Sequence, residues 1–209
     1  MIDSAVKDFW EEQHKKAFCS YKAARLQELI RSMRLEPLED KTVLCVGVGD
    51  GKQVQDVVEA GAKAVHAADI SEHALANVSH IVHGAYLFPH FDTMPSDIFD
   101  VAISHLVIQH INNESLIHHL TNIIRALTPA GTLYLQSAFS LVGKEDFLDS
   151  FITGDMMKSG SVYRSRKFVE LLITECNGVV IREPAVQHFT DRQDKIAWHK
   201  FNVQRVENI

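Results

Sequence analysis

The chain has 209 residues, of which 46% are hydrophobic and 23% charged, and its formal net charge is −6. This length allows one sizeable core and is short for two domains. The acidic balance disfavours a surface that neutralises nucleic-acid phosphates. No apolar stretch approaches the ~18 residues of a membrane span, and the first residues lack the regions of a signal peptide. We therefore expect one cytoplasmic domain with no membrane or nucleic-acid partner.

The three cysteines, Cys19, Cys45 and Cys176, are widely spaced and form no C-x-x-C pair or Cys/His metal pattern. We expect reduced thiols, with Cys45 in a buried strand, and no metal site.

Hydrophobic periodicity predicts helices that alternate with strands along the chain. A leading helix is predicted over residues 4–33, and residues 139–162 show no clear period. Strands are predicted at 42–46, 64–68, 86–88, 99–104, 131–138, 179–182 and 198–206, and further helices at 52–60, 72–83, 113–127 and 165–176. The alternation over 42–138 indicates βαβ units, hence a parallel sheet with helices on both faces.

Three glycines end the first predicted strand, in the run Val-Leu-Cys-Val-Gly-Val-Gly-Asp-Gly at residues 43–51. Such a turn lets a ligand approach the backbone and meet free N–H groups. The third glycine of the dinucleotide-binding pattern is absent, because that position is Lys52. Asp69 closes the second strand, where a carboxylate is placed to accept hydrogen bonds from ribose hydroxyls. These features indicate a ligand that contains adenosine.

Residues 43–51 resemble motif I of the class I SAM-dependent methyltransferases, of the small-molecule type, and Asp69 matches that family's ribose-binding acid. Residues 92–95, 99–111 and 127–134 are similar, in the same order, to the adenine-contacting segment, motif IV and the L-x-P-G-G-x-L turn of the family. The resemblance implies a Rossmann-like α/β fold, a doubly wound, mostly parallel seven-stranded sheet with an antiparallel last strand. It also implies SAM as cofactor and S-adenosylhomocysteine as product.

The resemblance divides a single domain, residues 1–209, into three parts: an N-terminal helical lid at 1–36, a SAM-binding core at 42–138, and a substrate-side insertion with C-terminal strands at 139–209. The cofactor-binding residues that it implies lie in the loop, after the second and fourth strands and on the lid. They are Gly47, Val48, Gly49, Gly51, Asp69, Ile70, Asp92, Thr93, Ser104, Trp10 and His14.

Cys45 departs from the family pattern, which often has an acid at this position to organise the glycine loop. A thiol has a reference pKa of ~8.5 and gives no fixed negative charge at neutral pH. Two outcomes follow: a lower cofactor affinity, or replacement of the acid by Asp50 or an N-terminal residue.

The acceptor pocket is expected outside the carboxyl ends of the strands, next to the residues that follow the fourth strand. Histidine titrates near neutral pH and can accept a proton from an alcohol, so His105 and His110 are the catalytic candidates. The alternative is that each only bonds a neighbouring loop. Candidate substrate-binding residues are Gln109, Tyr163, Arg164 and Tyr21, and packing is the alternative for the last three.

The sequence analysis thus predicts methyl transfer from SAM to an oxygen or nitrogen of a small polar acceptor, such as a sugar or a surface-polysaccharide precursor. The Asn/Asp-Pro-Pro-Tyr/Phe signature of amide methylation is absent, since residues 104–107 read Ser-His-Leu-Val. Two alternatives stay open: a non-catalytic SAM-fold binding protein, and a nucleotide- or NAD-dependent oxidoreductase. No residue pattern assigns an oligomeric state.

Overall fold

The structure is a computed structural model that describes residues 4–15, 26–27, 34–140, 164–182, 187–188 and 196–206. Its helices are α1 (Ser4–Lys15), α2 (Lys52–Glu59), α3 (Glu72–Val78), α4 (Asn113–Ala126) and α5 (Arg166–Glu175). Its strands are β1 (Thr42–Val46), β2 (Ala64–Asp69), β3 (Gly84–Leu87), β4 (Phe99–His105), β5 (Leu127–Ser140), β6 (Gly178–Arg182), β7 (Gln187–His188) and β8 (Ile196–Arg205). Short 3₁₀ turns span His90–Thr93 and Ile108–His110.

Seven strands form one continuous sheet in the order β3-β2-β1-β4-β5-β8-β6. The pairs from β3 to β5 are parallel, whereas β8 is antiparallel to both β5 and β6. The predicted Rossmann-like sheet with an antiparallel last strand is therefore confirmed. One strand was not predicted: β7, two residues long, pairs with β8 beside this path.

Both faces of the central strands are buried, which explains why these strands read as continuous apolar runs. In β1, Leu44 and Val46 belong to one hydrophobic cluster and Val43 and Cys45 to the other. Helices α4 and α5 contribute to the first cluster, and α2 and α3 to the second. The side-chain period of two in a strand assigns each residue to its face.

Side-chain caps explain where three helices begin. Ser71 Oγ accepts from Ala74 N–H at the start of α3, Asn112 Oδ1 from Ser115 N–H before α4, and Ser165 Oγ from Phe168 N–H before α5. Each cap satisfies one of the N–H groups that a first turn leaves without an intrahelical partner.

The predicted helix over 72–83 is too long, because α3 ends at Val78. Two tight turns follow, in which Ser79 N–H donates to Ala76 O and Ile81 N–H to Val78 O. His83 N–H then donates to Val65 O at 2.7 Å, which brings the chain to the sheet edge before β3. Residues 79–83 therefore form turns and a backbone hydrogen bond to β2 in place of further helical turns.

Strand β5 is longer than the predicted 131–138. Phe99 pairs with Leu127 and Val101 with Thr132, so the residues between them on β5 form an irregularity within the strand. At the other end, residues 137–140 of β5 continue to pair with residues 196–199 of β8. These paired segments, called here the wall, project beyond the last residue of β4 at the carboxyl edge of the sheet.

The predicted leading helix is described only in part, as α1 and a helical pair at residues 26–27; the rest of 4–33 lies outside the described residues. In the described ranges, no helix is long and apolar enough to cross a membrane.

Candidate active site

The glycine loop after β1 uses backbone conformations that favour glycine. Gly47, Gly49 and Gly51 have φ values of 72°, 53° and 81°. A Cβ added to Gly47 would lie 2.3 Å from Val107 Cγ2, on the segment that follows β4. The loop is therefore both left-handed and tightly packed against the end of β4, and an alanine at Gly47 would meet both obstacles.

Asp69 connects the end of β2 to this loop. Its Oδ2 accepts from Val48 N–H at 2.8 Å and Gly49 N–H at 3.4 Å, and its Oδ1 accepts from Ser71 N–H at 2.9 Å. Burial raises the pKa of the Asp69 carboxyl, while these donors and the nearby His14 oppose that shift. Two carboxylate oxygens offer about four acceptor positions, of which three are used here, so about one, on Oδ1, remains for a ribose hydroxyl.

Cys45 lies with its thiol inside the apolar cluster that also contains Val54 and Ile103. Burial raises the pKa of this thiol to about 12, so it is neutral at physiological pH. Asp50, one of the two predicted substitutes for the missing acid, forms an ion pair with Lys52 at 2.8 Å. The charge nearest the loop backbone in these contacts is thus that of Asp69.

Helix α1 lies across the ends of β2 and β4. Glu11 Oε2 accepts from Ser71 Oγ at 2.6 Å, and Lys7 Nζ pairs with Glu72 at 3.2 Å. The Trp10 ring contacts the His110 ring edge-on, with centroids 4.7 Å apart. These contacts place α1 beside the residues that follow β2 and β4, close to Asp69; its role as a lid stays a prediction.

His14 and Trp10 were both predicted to bind the cofactor, and the structure brings them together. Their ring centroids are 6.0 Å apart, and His14 is close enough to Asp69 for its charge to act on the carboxyl. Trp10 and His14 are one helical turn apart on α1, and the fold brings His110, about a hundred residues later in the chain, against Trp10 near Asp69.

Ser104 is fully buried at the end of β4, where it pairs with Val46 of β1. Within the described ranges, its Oγ has no hydrogen-bond partner. A buried hydroxyl without a partner costs free energy, so this atom fits a polar group of a bound molecule. Its position beside the glycine loop agrees with the predicted cofactor contact, which stays a prediction.

His105, the predicted general base, is the last residue of β4, and its catalytic role stays a prediction. Burial and the charge of Lys200 lower its pKa to about 4, although a hydrogen bond with Gln136 acts in the opposite direction. The ring is therefore neutral at pH 7, and a base this weak gains little in proton abstraction. Its surroundings favour a hydrogen-bonding role toward the acceptor.

Gln109 and His110 lie in the 3₁₀ turn after β4. Gln109 is buried, and its Oε1 accepts from Ser137 Oγ at 3.0 Å, which fastens the turn to the base of the wall. His110 faces α1 through Trp10. The predicted substrate and catalytic roles of these two residues stay predictions.

Arg164 was predicted to bind substrate, which stays a prediction; in the structure its buried guanidinium bonds to one side chain and two backbone carbonyl groups. The side chain is 2% exposed and donates to Asn113 Oδ1 at 2.9 Å and Ile108 O at 2.6 Å, and also to Ile111 O. These bonds hold the segment that follows β4. Tyr163 and Tyr21, the other predicted substrate contacts, lie outside the described residues.

The predicted adenine contacts, Asp92 and Thr93, are exposed in the 3₁₀ turn before β4. Arg125 fixes this turn by donating to Asp92 O at 3.3 Å and Met94 O at 2.8 Å. Ile70, the predicted neighbour of the ribose acid, is partly buried against the core. All three stay predictions.

Three residues that the sequence analysis missed are Glu11, Gln136 and Lys200. Gln136 and Lys200 are 8% and 5% exposed, at inward-facing positions of β5 and β8. Gln136 and Lys200 could have been recognised as polar residues within otherwise apolar strands. Burial of such side chains costs free energy unless they are hydrogen-bonded or paired.

Comparison with known proteins agrees with this geometry. Residues 44–135 match the family model of a methyltransferase domain. No curated protein matches the chain in sequence. Among solved structures, the chain is similar to a SAM-dependent methyltransferase from Mesorhizobium loti, at 17% identity and a TM-score of 0.62, over 85% of this chain and 97% of that one.

Two further solved structures bind identified small molecules. Haemonchus contortus phosphoethanolamine N-methyltransferase 2 is 16% identical with a TM-score of 0.68, over 97% of this chain and 60% of that one. Burkholderia thailandensis 1,6-didemethyltoxoflavin-N1-methyltransferase is 14% identical with a TM-score of 0.67, over 98% of this chain and 89% of that one. At these identities, the likeness shows the fold.

The domain match over residues 44–135 and the fold agree with the class that the motifs predicted, the SAM-dependent methyltransferases. Over residues 44–135 the chain carries the methyltransferase domain, and its sheet is that of class I enzymes. The residues fit the cofactor in three respects: a left-handed glycine loop, a buried carboxylate with acceptor capacity, and a buried hydroxyl without a partner.

Proposed function

We propose that the protein transfers a methyl group from SAM to an oxygen or nitrogen of a small polar acceptor. In this proposal, the acceptor binds over the ends of β4, β5 and β8. The observation that carries this proposal is the contact of the Asp69 carboxylate with the N–H groups of the glycine loop, within the matched domain. Sugars and surface-polysaccharide precursors belong to this acceptor class.

The cofactor, when bound, supplies an electrophilic methyl group on a sulfonium. Asp69 would accept a hydrogen bond from the ribose, and the loop from Gly47 to Gly51 would allow close approach of the backbone. Ser104 Oγ would gain the partner that it lacks. Trp10 and His14, on α1, would cover the cofactor and exclude water from it.

The acceptor has to be held in line with the methyl carbon, and this positioning supplies most of what the enzyme contributes. Gln109 and the base of the wall form one side of the acceptor region. Because His105 is neutral and a weak base, its expected task is to hydrogen-bond and orient the acceptor.

Calorimetry of the purified protein with SAM, S-adenosylhomocysteine and NAD tests the proposal. We expect saturable binding of the first two and none of NAD. A second assay then follows release of S-adenosylhomocysteine with a panel of amine, hydroxyl and sugar acceptors. Binding of NAD alone would support the oxidoreductase alternative. Binding of SAM without turnover of any acceptor would favour the non-catalytic binding protein.

A further inference from the structure

Three polar side chains lie side by side across the acceptor end of the sheet. His105 of β4 pairs with Gln136 of β5, and Gln136 pairs with Lys200 of β8. We call these three residues the polar row. Neighbouring strands are about 4.8 Å apart, so the backbones at the two ends of the row are separated by roughly 10 Å. A lysine side chain can reach across much of that distance.

The three side chains share one face of the sheet. Ile103 and Tyr134, two residues before His105 and Gln136, both belong to the hydrophobic cluster that contains Cys45. Because the side-chain period of a strand is two, His105 and Gln136 point to the same face. Lys200 is paired with Gln136 and therefore projects to that face as well.

The polar row is level with the glycine loop. Val46 pairs with Ser104, so Gly47 and His105 follow at the same height on neighbouring strands. On the other side, the wall rises directly above Gln136 and Lys200. The row thus lies between the loop that would hold the cofactor and the wall that bounds the acceptor region.

The chemistry of the row is that of hydrogen-bond donors around one positive charge. Lys200 is almost fully buried, and its charge reaches His105. A lysine ammonium has only donors, and the carboxamide of Gln136 has an NH2 group; the single N–H of the neutral His105 ring is the donor in its hydrogen bond with Gln136. Donors of this kind form their shortest and strongest hydrogen bonds with anionic oxygen atoms.

We propose that the polar row is a subsite for an oxyanion of the acceptor, a carboxylate or phosphate group held by Lys200 with the NH2 group of Gln136 as a second hydrogen-bond donor, next to the His105 ring. This inference rests on the proposed function and names the substrate class of the same site. The acceptor would be bifunctional, with the anionic group on the row and the nucleophilic oxygen or nitrogen beside the glycine loop. The anion would fix the orientation of the nucleophile.

Lys200→Met tests the role of the charge, since it keeps most of the length of the side chain, and Lys200→Arg restores the charge. Lys167→Met is the matched control, because Lys167 is exposed on α5. NMR spectra of the histidine rings are recorded for the complex with S-adenosylhomocysteine, and His105→Asn assigns the His105 signal. Sodium acetate and inorganic phosphate are the probes, titrated at constant ionic strength.

We expect a saturable shift of the His105 signal with one or both anions in the wild-type protein and in the Lys167→Met and Lys200→Arg variants. In Lys200→Met, the apparent affinity for the anion should fall roughly 10- to 100-fold, as for loss of a charge-assisted hydrogen bond. A stronger response to acetate indicates a carboxylate acceptor, and a stronger response to phosphate indicates a phosphorylated one.

The absence of a saturable shift in the wild-type complex overturns the inference, as does an unchanged anion affinity in Lys200→Met. The wild-type titration decides alone if Lys200→Met does not fold. A protein that binds no S-adenosylhomocysteine contradicts the proposed function instead. The two failures are therefore distinguishable, because cofactor binding is measured before either anion is added.

Discussion

The carboxyl edge of the sheet has two halves that are built in different ways. In the cofactor half, the loop from Gly47 to Gly51 is held by Asp69, and the bonds run mainly to backbone N–H groups. In the proposed acceptor half, buried or partly buried side chains bond to one another, as Gln109 does with Ser137 and Gln136 with His105.

The difference shows what each half has to do. Every residue of a glycine loop has a backbone N–H group, whatever the neighbouring side chains are. Such a loop is therefore sufficient to bind a cofactor whose structure is the same for every acceptor. Under the proposed function, side chains would recognise the acceptor. They would come from residues 105–110, 136–137 and 200, which the strand order β4-β5-β8 brings together. The acceptor half therefore depends more on tertiary structure.

Arg164→Ala should damage the acceptor half most. The buried guanidinium satisfies the carbonyl groups of Ile108 and Ile111, and its removal leaves them without these donors. We expect a loss of about 4 kcal/mol in the free energy of unfolding, measured by chemical denaturation. Arg166→Ala is the control, because Arg166 forms a partly exposed i,i+4 ion pair with Glu170 on α5, whose loss should cost about 0.5 kcal/mol or less.

An unchanged stability in Arg164→Ala, with a raised KM for the acceptor, would contradict this account. It would return Arg164 to the substrate contact that the sequence analysis predicted.

Acidification should destabilise the protein through its buried neutral histidines. The pKa of His105 is lowered to about 4 and that of His119 to about 3, from an ordinary 6.5. As pH falls below 6.5, the unfolded chain binds these protons first, so stability decreases until the folded-state pKa is reached. For His105 this loss is on the order of 3 kcal/mol between pH 6.5 and 4.

Denaturation curves at several pH values measure this slope, and His105→Gln and His119→Gln should each make it shallower. Exposed His80 offers a control, since His80→Gln should leave the slope unchanged. Equal slopes in all variants would show that His105 is not buried in a neutral state.

Opening the lid should have a smaller effect, confined to the cofactor half. Trp10→Ala removes the ring contact with His110, and Glu11→Gln weakens the bond to Ser71. We expect either change to lower the affinity for S-adenosylhomocysteine about 2- to 10-fold. Asp8→Ala, on the exposed side of the same helix, should leave the affinity unchanged. If Trp10→Ala also has no effect, α1 does not cover the cofactor.

The two halves also differ in how far sequence could predict them. The glycine loop and Asp69 followed from local motifs, since their geometry is encoded within short segments. The neutral state of His105 could not be predicted, because it depends on Lys200, almost a hundred residues away, and on burial in the fold. For the same reason, the sequence alone did not distinguish a structural Arg164 from a substrate contact.

Pattern errors within the fold have similar causes. The predicted helix over 72–83 was shortened by backbone bonds to β2, and β5 was lengthened by its pairing with β8. In both cases, partners distant in sequence decided where an element ends.

Calorimetric titration of S-adenosylhomocysteine into Asp69→Ala and Lys200→Met, beside the wild-type protein, tests the separation of the two halves most directly. We expect Asp69→Ala to weaken binding roughly 10- to 100-fold, because it removes the charged acceptor for the ribose and the anchor of the loop. Lys200→Met should stay within about twofold of the wild-type affinity. Lys200 is on β8, and three strands, β1, β4 and β5, separate β8 from β2, which ends at Asp69. An unchanged affinity in Asp69→Ala, or equal losses in both variants, would contradict the account.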